Sequence, residues 1–167
     1  MRQSLSTLIP LLLISAALFG TSIQQPDHRL MDLQKEQDKL KRTTDPVDRA
    51  KEDIKISEIL VSLISDAVKK GDLQTMRQRL TEYVSTIQEA HDGLVKSDRD
   101  ARKKPHGFKE LEISLRRQIK QLEDIGLALT FDEREPIDNA RKEASQIRDD
   151  LLKALFGSPN GSKNTLQ

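Results

Sequence analysis

Histidine is the side chain whose charge changes most readily near neutral pH, so the three histidines, His28, His91 and His106, are the first candidates for acid–base or metal chemistry. A helical metal pair needs a second ligand three or four residues away. Around His91 those positions hold Ile87, Gln88, Leu94 and Val95, which supply neither a carboxylate nor an imidazole. His28 has Asp32 and His106 has Glu110 at the required spacing, but each is a single pair, too few ligands for a metal centre. The acids Glu133 and Glu135 fall where a helix start favours negative charge, which explains them without catalysis. No HExxH, glycine-rich phosphate loop or GxSxG stretch occurs. These absences point away from an enzyme, and no catalytic, cofactor-binding or metal-ligating residue is assigned.

The remaining chemical feature is charge. Residues 100–111, DARKKPHGFKEL, gather Arg102, Lys103, Lys104 and Lys109 around a Pro-x-Gly break, with Arg99 just before them. Together the five form a candidate anion-binding corner. Cations in the last turns of a helix are also favoured by the negative end of its dipole, and Asp98, Asp100 and Glu110 lie among them. Aromatic residues that would stack on bases are missing, which argues against nucleic acid. Across the chain 28 basic residues face 27 acidic ones, a formal charge of +1, so no overall field draws the protein to a polyanion or an anionic membrane. The chain contains no cysteine, so its stability comes from packing without disulfides or thiolate-bound zinc.

The elements that position these residues are helices. Of 167 residues, 33% are charged, 35% hydrophobic and 3% aromatic, a balance suited to amphipathic helices and poor for a sheet. Asp45-Pro46 opens the first strong helix, which runs to Lys70 and carries apolar residues on more than one face in its second half, so it is expected at the centre of the core. Gly71-Asp72 reads as a tight turn. The next helix has Leu73, Met76, Leu80, Tyr83, Ile87, Ala90 and Leu94 at alternating steps, with a polar continuation to Lys103. After Pro105 and Gly107 a third helix repeats the rhythm through Phe108, Leu111, Leu115, Leu122, Ile125 and Leu129, interrupted at Gln118 and supported by Ile119. Asp132 and Glu135 are spaced as a reciprocal capping pair for the fourth, which carries Ile137, Ala140, Ala144, Ile147, Leu151 and Ala154 up to Gly157. The expected fold is all-α, an antiparallel up-down four-helix bundle over residues 45–157. Residues 24–44 read as a polar lead-in or a weak extra N-terminal helix, and 158–167 as a disordered tail.

Residues 1–23, MRQSLSTLIPLLLISAALFGTSI, combine one early arginine, an apolar stretch from Leu8 to Phe19 and small residues at Gly20, Thr21 and Ser22. That is the layout of a secretory signal peptide, with an apolar core shorter than the roughly 20 residues of a bilayer span. Export to the periplasm or beyond follows; the alternative is an uncleaved membrane anchor.

The segments DPVDRAKEDIKISEIL, KKPHGFKELEISLRRQIKQLEDI and FDEREPI resemble an uncharacterised family of exported all-helical proteins of environmental bacteria. The resemblance spans residues 45 to 157 and implies a fold, with no activity or site residues attached. Periplasmic stress chaperones of the Spy type are also small, exported and helical, but their LTxxQ motif is not met: Val84 follows Leu80-Thr81 and Glu133 follows Leu129-Thr130 at the glutamine position. The functional expectation is a non-enzymatic exported helical-bundle protein, without cofactor, that binds another protein in the cell envelope; homo-oligomers are compatible with its seven-residue seams. The alternative is a membrane-surface or polyanion-binding module using the basic corner.

Overall fold

The computed structural model of the protein describes residues 28–157, so the signal peptide, the possible anchor and the tail expected from the sequence lie outside the described residues. Five helices form the structure: α1 (His28–Leu40), α2 (Pro46–Lys69), α3 (Leu73–Val95), α4 (Phe108–Gly126) and α5 (Phe131–Phe156). Among the described residues there is no strand. No helix among them is long and apolar enough to cross a membrane.

Local chemistry accounts for the boundaries. Asp45 caps α2 by accepting from the backbone N–H groups of Val47 and Asp48, and Pro46 occupies a first-turn position where its missing donor costs nothing. Gly71 takes φ 69° after α2, and Asp72 then accepts from the N–H of Thr75 to start α3. Two expectations are corrected. α3 ends at Val95 instead of reaching Lys103, because Asp98 adopts φ 52° and Ala101 drops into the core, which a continuous polar helix would not permit. The start of α5 is fixed by Thr130 and Glu133, whose carboxylate accepts from both the N–H and the hydroxyl of Thr130, so the pairing of Asp132 with Glu135 is displaced by two residues.

The lead-in proves to contain a well-formed helix. Leu33 is buried, Arg29 is paired with Asp66 and donates to the Ser62 hydroxyl, and Lys39 reaches Glu52 at 2.8 Å. Arg29 meets the end of α2 and Lys39 its first half, so α1 runs back along α2. Tertiary pairing therefore supplies what its own weak apolar rhythm does not. α2 packs against α1, α3 and α4, the central place its crowded apolar faces predict. α4 pairs with α5, and α3 lies along α5. α3 and α4, consecutive in the chain, touch least. Residues 96–107 thus carry the chain from one helix pair to the other, with Ala101 and Phe108 as buried anchors.

The interior is mainly aliphatic, with Phe108, a few buried polar groups and one buried aromatic hydroxyl. Tyr83 is fully buried, its hydroxyl has no hydrogen-bond partner, and burial alone pushes its ionisation far up. Removing an unpaired polar atom while keeping the ring relieves a desolvation cost. Tyr83→Phe is expected to raise stability by about 1 kcal/mol, read as a higher urea midpoint with an unchanged slope. Gln118, treated in the sequence as an interruption of the seam, is also fully buried; its amide donates to the hydroxyls of Ser57 (2.8 Å) and Ser114 (2.9 Å) and bolts α4 to α2.

Candidate functional site

The histidines fall where the sequence leaves them. His28 contacts Asp32 at 2.9 Å and His106 contacts Glu110 at 3.3 Å, both on exposed surface, while His91 meets only its neighbour Asp92 at 3.5 Å. Glu110 is occupied in another way: it accepts from the N–H of Gly107 at 2.6 Å and so closes the first turn of α4. No group of three or more metal-ligating side chains occurs among the described residues.

The basic corner is the turn-rich link between α3 and α4. Arg102, Lys103, Lys104 and Lys109 are exposed there, and Arg99 is half-buried. Asp100 organises the link: it accepts from the backbone N–H of Arg102 through its side chain and from Lys103 and Lys104 through its carbonyl, and its carboxylate lies 3.8 Å from the Lys103 ammonium. The Arg102 guanidinium lies against Gly157 at the C-terminal end of α5, where a positive charge complements the helix dipole. Four of the five cations lie in the link and Lys109 in the first turn of α4; Arg102 serves the fold and Lys103 has an acid partner.

Two surface grooves are better formed, and both border α3. The first, about 500 Å³, lies between α3 and α5 and is floored by Leu80, Val84, Pro136 and Ala140, with Arg77, Gln88, Asn139 and Glu143 at its margins. The second, about 390 Å³, lies where α1, α2 and α3 meet and is lined by Leu40 and Ile56 together with Gln37, Asp53, Glu82, Ser85, Thr86 and Glu89. Thr81 and Ser85 line both, so the outer ridge of α3 divides them.

Asp53, in the second groove, was not singled out in the sequence. It is 3% exposed, its Oδ1 has no hydrogen-bond partner, and no cation pairs with it. The other buried acids differ: Glu52 is held by Lys39 at 2.8 Å and Lys55 at 3.1 Å, and Glu112 by Arg148 at 3.1 Å. Burial, reinforced by the negative charge of Glu89, raises the Asp53 carboxyl to about 7, with Arg49 opposing the shift. Desolvation pushes the Glu52 carboxyl up, but hydrogen bonds with Lys39, Glu36 and Lys55 together outweigh it and take it down to about 2. A signal for Asp53 was present: it follows Ala50 by three and precedes Ser57 and Leu60 by four and seven, the spacing of the buried stripe of α2. An ionisable residue on such a stripe marks a structural or functional exception.

With this geometry in hand, comparison with protein-family models, with curated proteins and with solved structures finds no match to the chain.

Proposed function

We propose that the protein is an exported, non-enzymatic helical-bundle protein that binds another polypeptide of the cell envelope, and that the α3/α5 groove receives it. The proposal takes α2–α5 as an up-down four-helix bundle with α1 laid along its flank. The observation that carries the binding reading is the groove's apolar floor, in which Val84 and Pro136 are half-exposed over the buried Leu80 and Ala140 and no third helix of the described residues lines the groove. Helix-in-groove recognition needs such a floor together with polar margins that fix register. α1 illustrates the expected mode on the other side of the α3 ridge, where an amphipathic helix is held by one buried leucine and by ion pairs at both ends. The occupant proposed for the α3/α5 groove is accordingly an amphipathic helix of a partner, with apolar residues against Val84 and Pro136 and an acidic residue near Arg77. Export rests on the layout of residues 1–23.

A photo-cross-linking amino acid placed at Gln88, on the groove margin, tests this in envelope extract, with the same group at Lys104 in the corner for comparison. Discrete polypeptide adducts are expected from position 88, and Asn139→Trp, which fills the groove from its exposed α5 margin, is expected to reduce them at least tenfold. Adducts from position 104 alone would shift the function to the basic corner. A lack of adducts from position 88, or adducts that persist in the tryptophan variant, would sink the groove reading.

A further inference from the structure

We propose that the groove between α1, α2 and α3 is a binding site for a small primary alkylammonium compound, held through its cationic head by Asp53 and Glu89. The groove's volume of about 390 Å³ lies within the range of small-ligand sites. Its lining holds more acceptors than donors, with the Gln37 amide as its one uncommitted N–H donor group. The Thr86 hydroxyl donates to the Glu82 carbonyl, the Thr81 hydroxyl to the Arg77 carbonyl and the Ser85 hydroxyl to the Glu89 carboxylate, so these oxygens face the groove with their protons already committed. Glu82 accepts from Arg79 at 2.6 Å and from Gln78 at 3.2 Å. The Oδ1 of Asp53 has no donor, although the residue is 97% removed from solvent. A ligand that only donates is the complement of such a lining, and a primary ammonium offers three N–H donors with no acceptor.

The surrounding cations do not fill this role. Arg49, one turn before Asp53, is spent on the carbonyls of Leu40 and Thr43, and Lys39 on Glu52. A bare metal ion is the wrong occupant, because the described residues offer no cluster of three ligands. Leu40 and Ile56 supply apolar walls for a short alkyl chain behind the ammonium. The site is distinct from the α3/α5 groove and does not depend on the binding reading given for it.

Titration with n-butylammonium, followed by amide chemical shifts in residues 53 and 85–89, tests the site, with 1,4-butanediol as a neutral control of similar size. Saturable shifts are expected for the amine and not for the diol. Affinity is expected to increase at least tenfold between pH 5 and pH 8, as the Asp53 carboxyl becomes ionised. Asp53→Asn is expected to weaken binding at least tenfold, and Glu89→Gln, a change on an exposed residue that leaves the interior intact, by about threefold. Equal response to amine and diol, the absence of saturable shifts at millimolar amine, or unchanged affinity in both variants would each overturn the assignment and leave Asp53 a protonated core residue.

Discussion

Replacing Asp53 by asparagine is expected to make the protein more stable at pH 8 and no more stable at pH 3. Its folded carboxyl titrates near 7, against 3.8 for the ordinary side chain, so the folded state holds a proton that the unfolded chain releases. Below pH 3.8 both states are protonated and the residue has no effect on stability. As pH rises from there towards 7 the native protein loses stability, and above 7 the loss is complete. A displacement of this size corresponds to at most about 4 kcal/mol, and water entering along the groove reduces the expectation to about 2 kcal/mol. Asparagine keeps the shape of the protonated acid and cannot ionise, so it escapes the loss. The difference in unfolding free energy between variant and parent, measured by urea titration across pH 3–9, isolates the effect. Acids with depressed ionisation, such as Glu52 and the Asp72 cap, give the opposite slope at low pH and cancel in that difference. A difference that stays flat across the range would show that Asp53 is not ionised at the cost of the fold. If an ammonium ligand occupies the groove, saturating n-butylammonium at pH 8 is expected to return most of the lost stability to the parent and to stabilise the variant less by at least about 1 kcal/mol.

Gly107→Val is expected to destabilise the protein by about 3 kcal/mol, the largest loss foreseen for a single position of the link. Gly107 has φ 88°, where a β-branched residue is strained, and an added Cβ would stand 2.6 Å from the Cδ2 of Leu94 and 3.5 Å from the Cγ2 of Val47. Leu94 is fully buried, so any retreat of its side chain disturbs the core around it. The same backbone N–H is held by Glu110, so the turn cannot swing away without opening the start of α4. Gly93, inside α3, is the matched control: nothing lies within 4 Å of its added Cβ, and Gly93→Ala is expected to gain about 0.5 kcal/mol from helix propensity. Thermal unfolding of the two variants should therefore move in opposite directions. Equal shifts would mean that the corner does not depend on the left-handed residue.

These two residues show where reading the sequence was sufficient and where it was not. The helices of 46–69, 73–95, 108–126 and 131–156 were legible because their apolar residues recur at the helical period and their ends carry local signals: Asp45-Pro46, Gly71-Asp72 and the Pro105-x-Gly107 break. Such signals act over four or five residues and need no partner to be recognised. Gly107 belongs with them, since a glycine between a proline and an apolar stripe announces a turn. α1 was only half legible. Its apolar residues are few, and what holds it is Asp66, Glu52 and a buried place for Leu33, all contributed by α2. The early end of α3 was hidden for a similar reason, because the fall of Ala101 into the core depends on which helices surround it.

The functional surfaces lie further from the one-dimensional text. The sequence determined an all-helical chain with amphipathic stripes, caps and turns, because hydrophobic periodicity and backbone capping are local properties written residue by residue. It also marked the basic link, in which Arg102, Lys103 and Lys104 are consecutive. Only the tertiary structure decided that α3 and α4 would be poor neighbours, that a groove would open between α3 and α5, and that Asp53 would be closed in by α1 and α3 with no donor to its Oδ1. Those facts arise from how separate surfaces meet in space. The free energy of burying an acid or leaving an apolar floor uncovered depends on that meeting, and no single stretch of chain contains it.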